Sequence, residues 1–126
     1  MRVGDSAQVR RTYGRDDIAT FAALAGVAPA TITAVPEPLL AALYSYLLGV
    51  RLPGPGANYL KQSLRFLRAA PLDHELTATV TITRLRPDKH LCDLATTITA
   101  ADGTLVADGR ALVLVRDVAA ATDSVA

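Results

Sequence analysis

Cysteine occurs once in the 126 residues, methionine once, histidine twice and tryptophan not at all. A single thiol, Cys92, excludes an intramolecular disulfide and any cysteine-based metal cluster. Two histidines, His74 and His90, are too few to build a zinc site without several carboxylates. Charge of one sign is also missing: 13 Lys and Arg face 12 Asp and Glu, for a net charge of +1. The basic residues come as scattered pairs (Arg10 and Arg11, Arg65 and Arg68, Arg84 and Arg86). Nothing electrostatic therefore favours a nucleic acid or an anionic membrane surface. No apolar run has the length of a membrane span, and the opening MRVGDSAQVRR lacks the apolar middle of a secretory signal. The expectation is a cytoplasmic protein without metal or cofactor.

What is present is an ordinary globular composition, 51% hydrophobic and 20% charged, in a chain long enough for one core and too short for two. One domain is expected over 1–116, followed by a frayed tail over 117–126. The first twelve residues read as a short extended segment. Asp16 and Asp17 then open the apolar run IATFAALAG, with Ile18, Phe21, Ala22 and Ala25 at helical spacing and Gly26 as the stop. The stretch 27–35, small and β-branched around Pro29, reads as a loop. Pro36-Glu37-Pro38 sits where proline is tolerated, in a helix's first turn, and LLAALYSYLLG follows. This helix is apolar over most of its circumference, which predicts enclosure by other structure, and Gly49 is expected to end it.

Beyond Leu52 to Gly56 the period changes from helical to strand-like. Asn58 to Leu67 is one candidate strand. Leu76, Ala78, Val80 and Ile82 alternate with threonines, the mark of a half-buried strand. Leu91 to Thr99 and Leu105 to Val115 are two more, joined by the hairpin signal Ala101-Asp102-Gly103. The order predicts an α+β fold, an antiparallel sheet wrapped around one long central helix, whose sheet edges call for a partner copy.

The stretch LPGPGANYLKQSLRFLRAAPLDHELTATVTI, Leu52 to Ile82, resembles the central region of the MaoC-like (R)-specific enoyl-CoA hydratases. VGDSAQVRRTYGRDDIATFAALAG is similar to that family's first strand and helix, and DGTLVADGRALVLV to its last hairpin. The resemblance implies a hot-dog fold, a dimer, and a CoA or acyl-carrier-protein thioester as ligand. It also implies an aspartate–histidine pair after the first helix and a His-Gly step at the start of the central one. The chemistry has a plain rationale: hydration needs a base for water, an acid for the α-carbon, and donors for the developing enolate oxygen.

This sequence departs from that pattern at each of those points. Gly26 matches the motif's glycine, but Val27 stands at the aspartate position, and Ala28-Pro29-Ala30-Thr31 brings no histidine. The loop is shortened, Pro36 and Glu37 replace the His-Gly step, and no Asp or His occurs between Val27 and Leu72. The dyad is missing, so the expectation is an acyl-thioester-binding protein with a degenerate site. It would be an accessory subunit, as a homodimer or paired with an intact hydratase-like chain. The alternative is a remodelled enzyme acting on an acyl or polyketide-like substrate, with Glu37 as acid or base and Tyr44 and Thr31 assisting. Val27, Leu40, Gly56, Asn58 and Tyr59 are the positions expected to line the acyl-thioester pocket.

Each candidate has a structural counter-reading. Glu37 can be a first-turn acid favoured by the helix dipole. Tyr44, Tyr46 and Tyr59 can be core or interface tyrosines. Thr31 and Thr33 can bond their own backbone. His74 and His90 read as solvated turn residues, and Cys92 as a small buried hydrophobe. Lys61, Arg65 and Arg68 either meet a CoA or phosphopantetheine phosphate or are strand-face charges.

Overall fold

The computed structural model describes residues 1–118. Five strands and two helices follow in the order β1 (Ser6–Thr12), α1 (Arg15–Ala25), α2 (Glu37–Tyr46), β2 (Asn58–Phe66), β3 (Glu75–Arg86), β4 (Leu91–Ala100) and β5 (Leu105–Leu114). The strands make one antiparallel sheet in the order β1-β3-β4-β5-β2. The four strands after α2 are therefore consecutive in sequence but not in space. β2 crosses to pair with β5, and β1 takes the place beside β3.

The alternation in β3 sets its facing: Leu76, Ala78, Val80 and Ile82 are buried, while the threonines between them point away from the core. β4 follows the same rule with Cys92, Leu94, Thr96 and Ile98 inward. Against this face pack Leu40, Leu43, Tyr44, Leu47 and Leu48 of the helical segment. Each large apolar side chain removed from water contributes about 1.5–3 kcal/mol before chain entropy is charged.

The helices start and stop by distinct devices. In α1, Asp17 turns back to accept a hydrogen bond from the Gly14 N–H at 2.9 Å, and Gly26 closes the other end at φ +73°. Gly49, expected to end the central helix, does not. The chain continues through a wider π turn, Leu47–Arg51, in which the Leu52 N–H reaches the Leu47 carbonyl at 2.7 Å. The stop comes at Pro53, which has no N–H, and at Gly54, held at φ +93°. Full enclosure of the helix is likewise not met within one chain, because Tyr46 and Val50 remain about half exposed. The 27–35 loop contains a single 3-10 turn, Pro29–Thr31.

Of the expected tail, Asp117 is exposed and Val118 is buried against the core; residues 119–126 lie outside the described ones. Gly56, at φ +93°, is where the chain passes under Asp117: a Cβ there would run into the Asp117 carbonyl.

Candidate functional site

Helix α2 begins at Glu37, exposed to solvent, with Pro36 before it and Pro38 after it. Proline carries no N–H, so within 36–38 the Glu37 amide alone can donate to a bound oxygen. Around this helix start lies a cleft of about 380 Å³, lined by Ala34, Val35, Glu37, Leu40, Phe66, Leu67, Arg68, Ala69 and Ala70. The loop reaches it because the Val35 N–H bonds the Ala70 carbonyl at 2.9 Å, which ties the segment before α2 to the segment after β2. The cleft holds one carboxylate, one guanidinium and no imidazole.

A second, smaller pocket of about 160 Å³ lies two helical turns further on, lined by Ser45, Leu48, Gly49, Ala57, Tyr59 and Val113. Its wall is mostly apolar, and Tyr59 donates its hydroxyl proton to Gln62 Oε1. Gln62 Nε2 in turn donates to Thr96 Oγ1 at 3.3 Å and to the Ser63 carbonyl at 2.8 Å. Tyr44 stands beside this polar group without bonding to it. Its ring is fully buried and its hydroxyl faces Thr96 without reaching hydrogen-bond geometry. Burial pushes the Tyr44 phenol up to about 12, so it is a neutral donor and not a base at physiological pH.

The sequence candidates thus fall into separate groups. Glu37 and Leu40 share the cleft. Tyr44 and Tyr59 meet at the polar group, with Tyr59 also on the smaller pocket. Asn58 is exposed at the start of β2, opposite Leu114, and Gly56 sits under Asp117. Val27 is exposed and caps α1 through its N–H to the Ala22 carbonyl at 3.0 Å. Thr31 is exposed and gives its hydroxyl proton to the Ala28 carbonyl at 2.6 Å, the local bond expected of a loop threonine.

The three cations also part company. Arg68 lines the cleft, Arg65 is held by a two-pronged pair with Asp108 at 2.8 and 2.9 Å, and Lys61 lies with Arg110 and Asp93 around a different depression. His74 and His90 are exposed corner residues. Sequence reasoning missed Phe66 and Leu67 in the cleft and Gln62, Thr96, Ser45 and Leu48 beyond it. No motif marks them, because they meet only once β2 pairs with β5, β5 pairs with β4 and the helical segment packs across the sheet.

Cys92 is fully buried, and that burial, reinforced by Asp93, pushes its thiol up to about 12. A thiol reagent at pH 8 is expected to leave the native protein unlabelled and to label it promptly once denaturant is added. Prompt labelling of the native state would show a reactive thiolate instead. Among the described residues no group of three or more His, Cys, Asp or Glu is placed to hold a metal ion, and no helix is long and apolar enough to cross a membrane.

No family model matches the chain. Whole-protein comparison does find relatives. An (R)-specific enoyl-CoA hydratase of Aeromonas caviae is 39% identical, over 90% of this chain and 94% of the relative. One of Rhodospirillum rubrum is 38% identical, over 91% of this chain and 88% of the relative. Among solved structures, the (R)-hydratase from A. caviae involved in PHA biosynthesis superposes with a TM-score of 0.81 at 38% identity, covering 90% of this chain and 96% of that one. The shared architecture is the hot-dog fold.

Proposed function

Because the chain belongs to the (R)-specific enoyl-CoA hydratase family, we propose that it binds acyl thioesters of CoA or acyl carrier protein at the start of α2 but does not hydrate them by itself. One observation carries this reading. The cleft at the start of α2 contains Glu37 as its one acid–base candidate, whereas water addition across a double bond needs a base and an acid. The Glu37 N–H supplies the donor for the thioester oxygen, Arg68 lies at the rim for a pantetheine or phosphate group, and the pocket beyond Leu48 receives the acyl chain.

The same reading makes the protein an accessory subunit of a hydratase- or dehydratase-type assembly. Strand β2 lies at the sheet edge, paired only with β5, and so offers backbone groups to another chain. Tyr59 and Leu60 on it, Leu67 just after it, and Tyr46 and Val50 on the adjoining helical segment are all exposed. That apolar border suits a second copy or an intact hydratase subunit. Co-expression with an intact (R)-hydratase chain from the same genome, followed by size analysis, should give a mixed dimer. Two separate homodimers would remove the heteromeric form of the proposal.

The competing reading, Glu37 as the acid or base of a remodelled enzyme, is favoured by its position on the cleft beside Leu40. Under the accessory reading Glu37→Gln leaves the fold intact and thioester affinity within about threefold. A thioester-consuming activity in the unmodified protein that falls about 10²-fold or more in Glu37→Gln would instead establish the enzyme.

A further inference from the structure

Polar groups stand between the cleft and the smaller pocket. Leu40 lines the cleft and Leu48 the pocket. Tyr44 stands four residues from each, on the same face of the helical segment and about 6 Å of axial rise from either. The opposite wall repeats the pattern: Phe66 belongs to the cleft, Tyr59 to the pocket, and Gln62 lies between them on β2. Tyr59, Gln62 and Thr96 satisfy one another. The Tyr44 hydroxyl does not join them, although it is fully buried and faces Thr96. A buried hydroxyl left without a partner is costly, and an apolar chain laid across this septum would leave it so. An oxygen atom on the chain at this level would not.

We propose that the protein selects acyl groups bearing a hydroxyl or carbonyl oxygen in mid-chain, and that the Tyr44 hydroxyl is the group that recognises that oxygen. The inference rests on the acyl-thioester reading above and adds the class of acyl group. Tyr44 would donate to a ketone, or donate to or accept from a hydroxyl, while Gln62 and Thr96 keep the surrounding wall polar. No covalent step is involved.

The test compares calorimetric binding of hexanoyl-CoA with that of its mid-chain keto and hydroxy counterparts, in the unmodified protein and in Tyr44→Phe. The unmodified protein should prefer an oxygenated thioester by about tenfold. Tyr44→Phe should cut that preference to within about twofold. Because it removes an unpartnered buried hydroxyl and keeps the ring, Tyr44→Phe should also melt no lower than the parent, so loss of selectivity is not loss of fold. Equal affinities in the unmodified protein, as expected if the hydroxyl merely holds a water, would overturn the inference and leave the acyl-thioester reading standing. So would a preference that survives in Tyr44→Phe. Failure of every thioester to bind would overturn both.

Discussion

Crotonyl-CoA incubated with the purified chain alone is expected to stay unhydrated, at a rate below that of an intact (R)-hydratase by at least about 10²–10⁴-fold, the ordinary yield of positioned acid–base groups. The reason is compositional as well as geometric. No Asp or His exists between Val27 and Leu72, and His74 and His90 are exposed corner residues. Thr31 is turned to its own loop by the bond to Ala28. Tyr44 is held as a neutral phenol by burial. What remains at the cleft is one carboxylate, Glu37, and one guanidinium, Arg68, with the Glu37 amide as the proposed donor to a thioester oxygen. Donors for an enolate oxygen without a base or acid bind the thioester but leave the water and the α-carbon unserved. Following enoyl-thioester absorbance at several protein concentrations checks this. A loss that scales with protein and matches an intact hydratase would mean that the chain finds its acid and base elsewhere.

The largest effect on the fold is expected from Gly109→Ala. Gly109 lies on β5 between Thr96 of β4 and Leu64 of β2. A Cβ there would collide with the Ser63 carbonyl and approach Gln62 Nε2 to 3.2 Å. Since the first obstacle is backbone, β2 itself has to move. Overpacking of this kind costs about 1–3 kcal/mol. Displacing Gln62 from Thr96 leaves a buried hydroxyl without its donor, a further cost of about 1–3 kcal/mol. The melting temperature should therefore fall by roughly 10 °C, taking a few degrees for each kcal/mol in a domain of this size. Under the proposed pairing through β2, one of the two sheet edges, association should weaken with it. An unchanged melting temperature would show that β2 and β5 approach less closely at Ser63 and Gly109.

How much of this was legible in the sequence depended on whether the signal was local. The inward face of β3 could be read from Leu76 to Ile82, since alternation is a property of the strand itself. The start of α2 could be read from Pro36-Glu37-Pro38, and the end of α1 from Gly26. The place of β2 could not, because pairing with β5 rather than β3 is decided by how the sheet closes over the helix. Gly49 misled for a related reason: glycine is a helix stop only when it takes a positive φ, and here a π turn carries the chain past it. Gly56 shows the same dependence on distant chain, since its need for glycine comes from Asp117.

The site divides along the same line. Glu37 and Leu40 were accessible because a helix start announces itself and the family resemblance points to it. Val27 and Thr31 drew attention through the missing dyad, yet the shortened loop keeps them on the surface with local hydrogen bonds. Tyr44, Tyr59, Gln62 and Thr96 lie on three different elements, so no spacing rule joins them. Only the register of three strands against the helix does.

The central claim is that this hydratase-family chain keeps the thioester cleft and lacks the chemistry. Its most direct test is a titration of the purified protein with crotonyl-CoA in which the bound ligand is released and identified by mass. Saturable binding with crotonyl-CoA recovered unchanged is the expected result. Recovery of the hydrated thioester at the pace of an intact hydratase, or no binding at all, would contradict it.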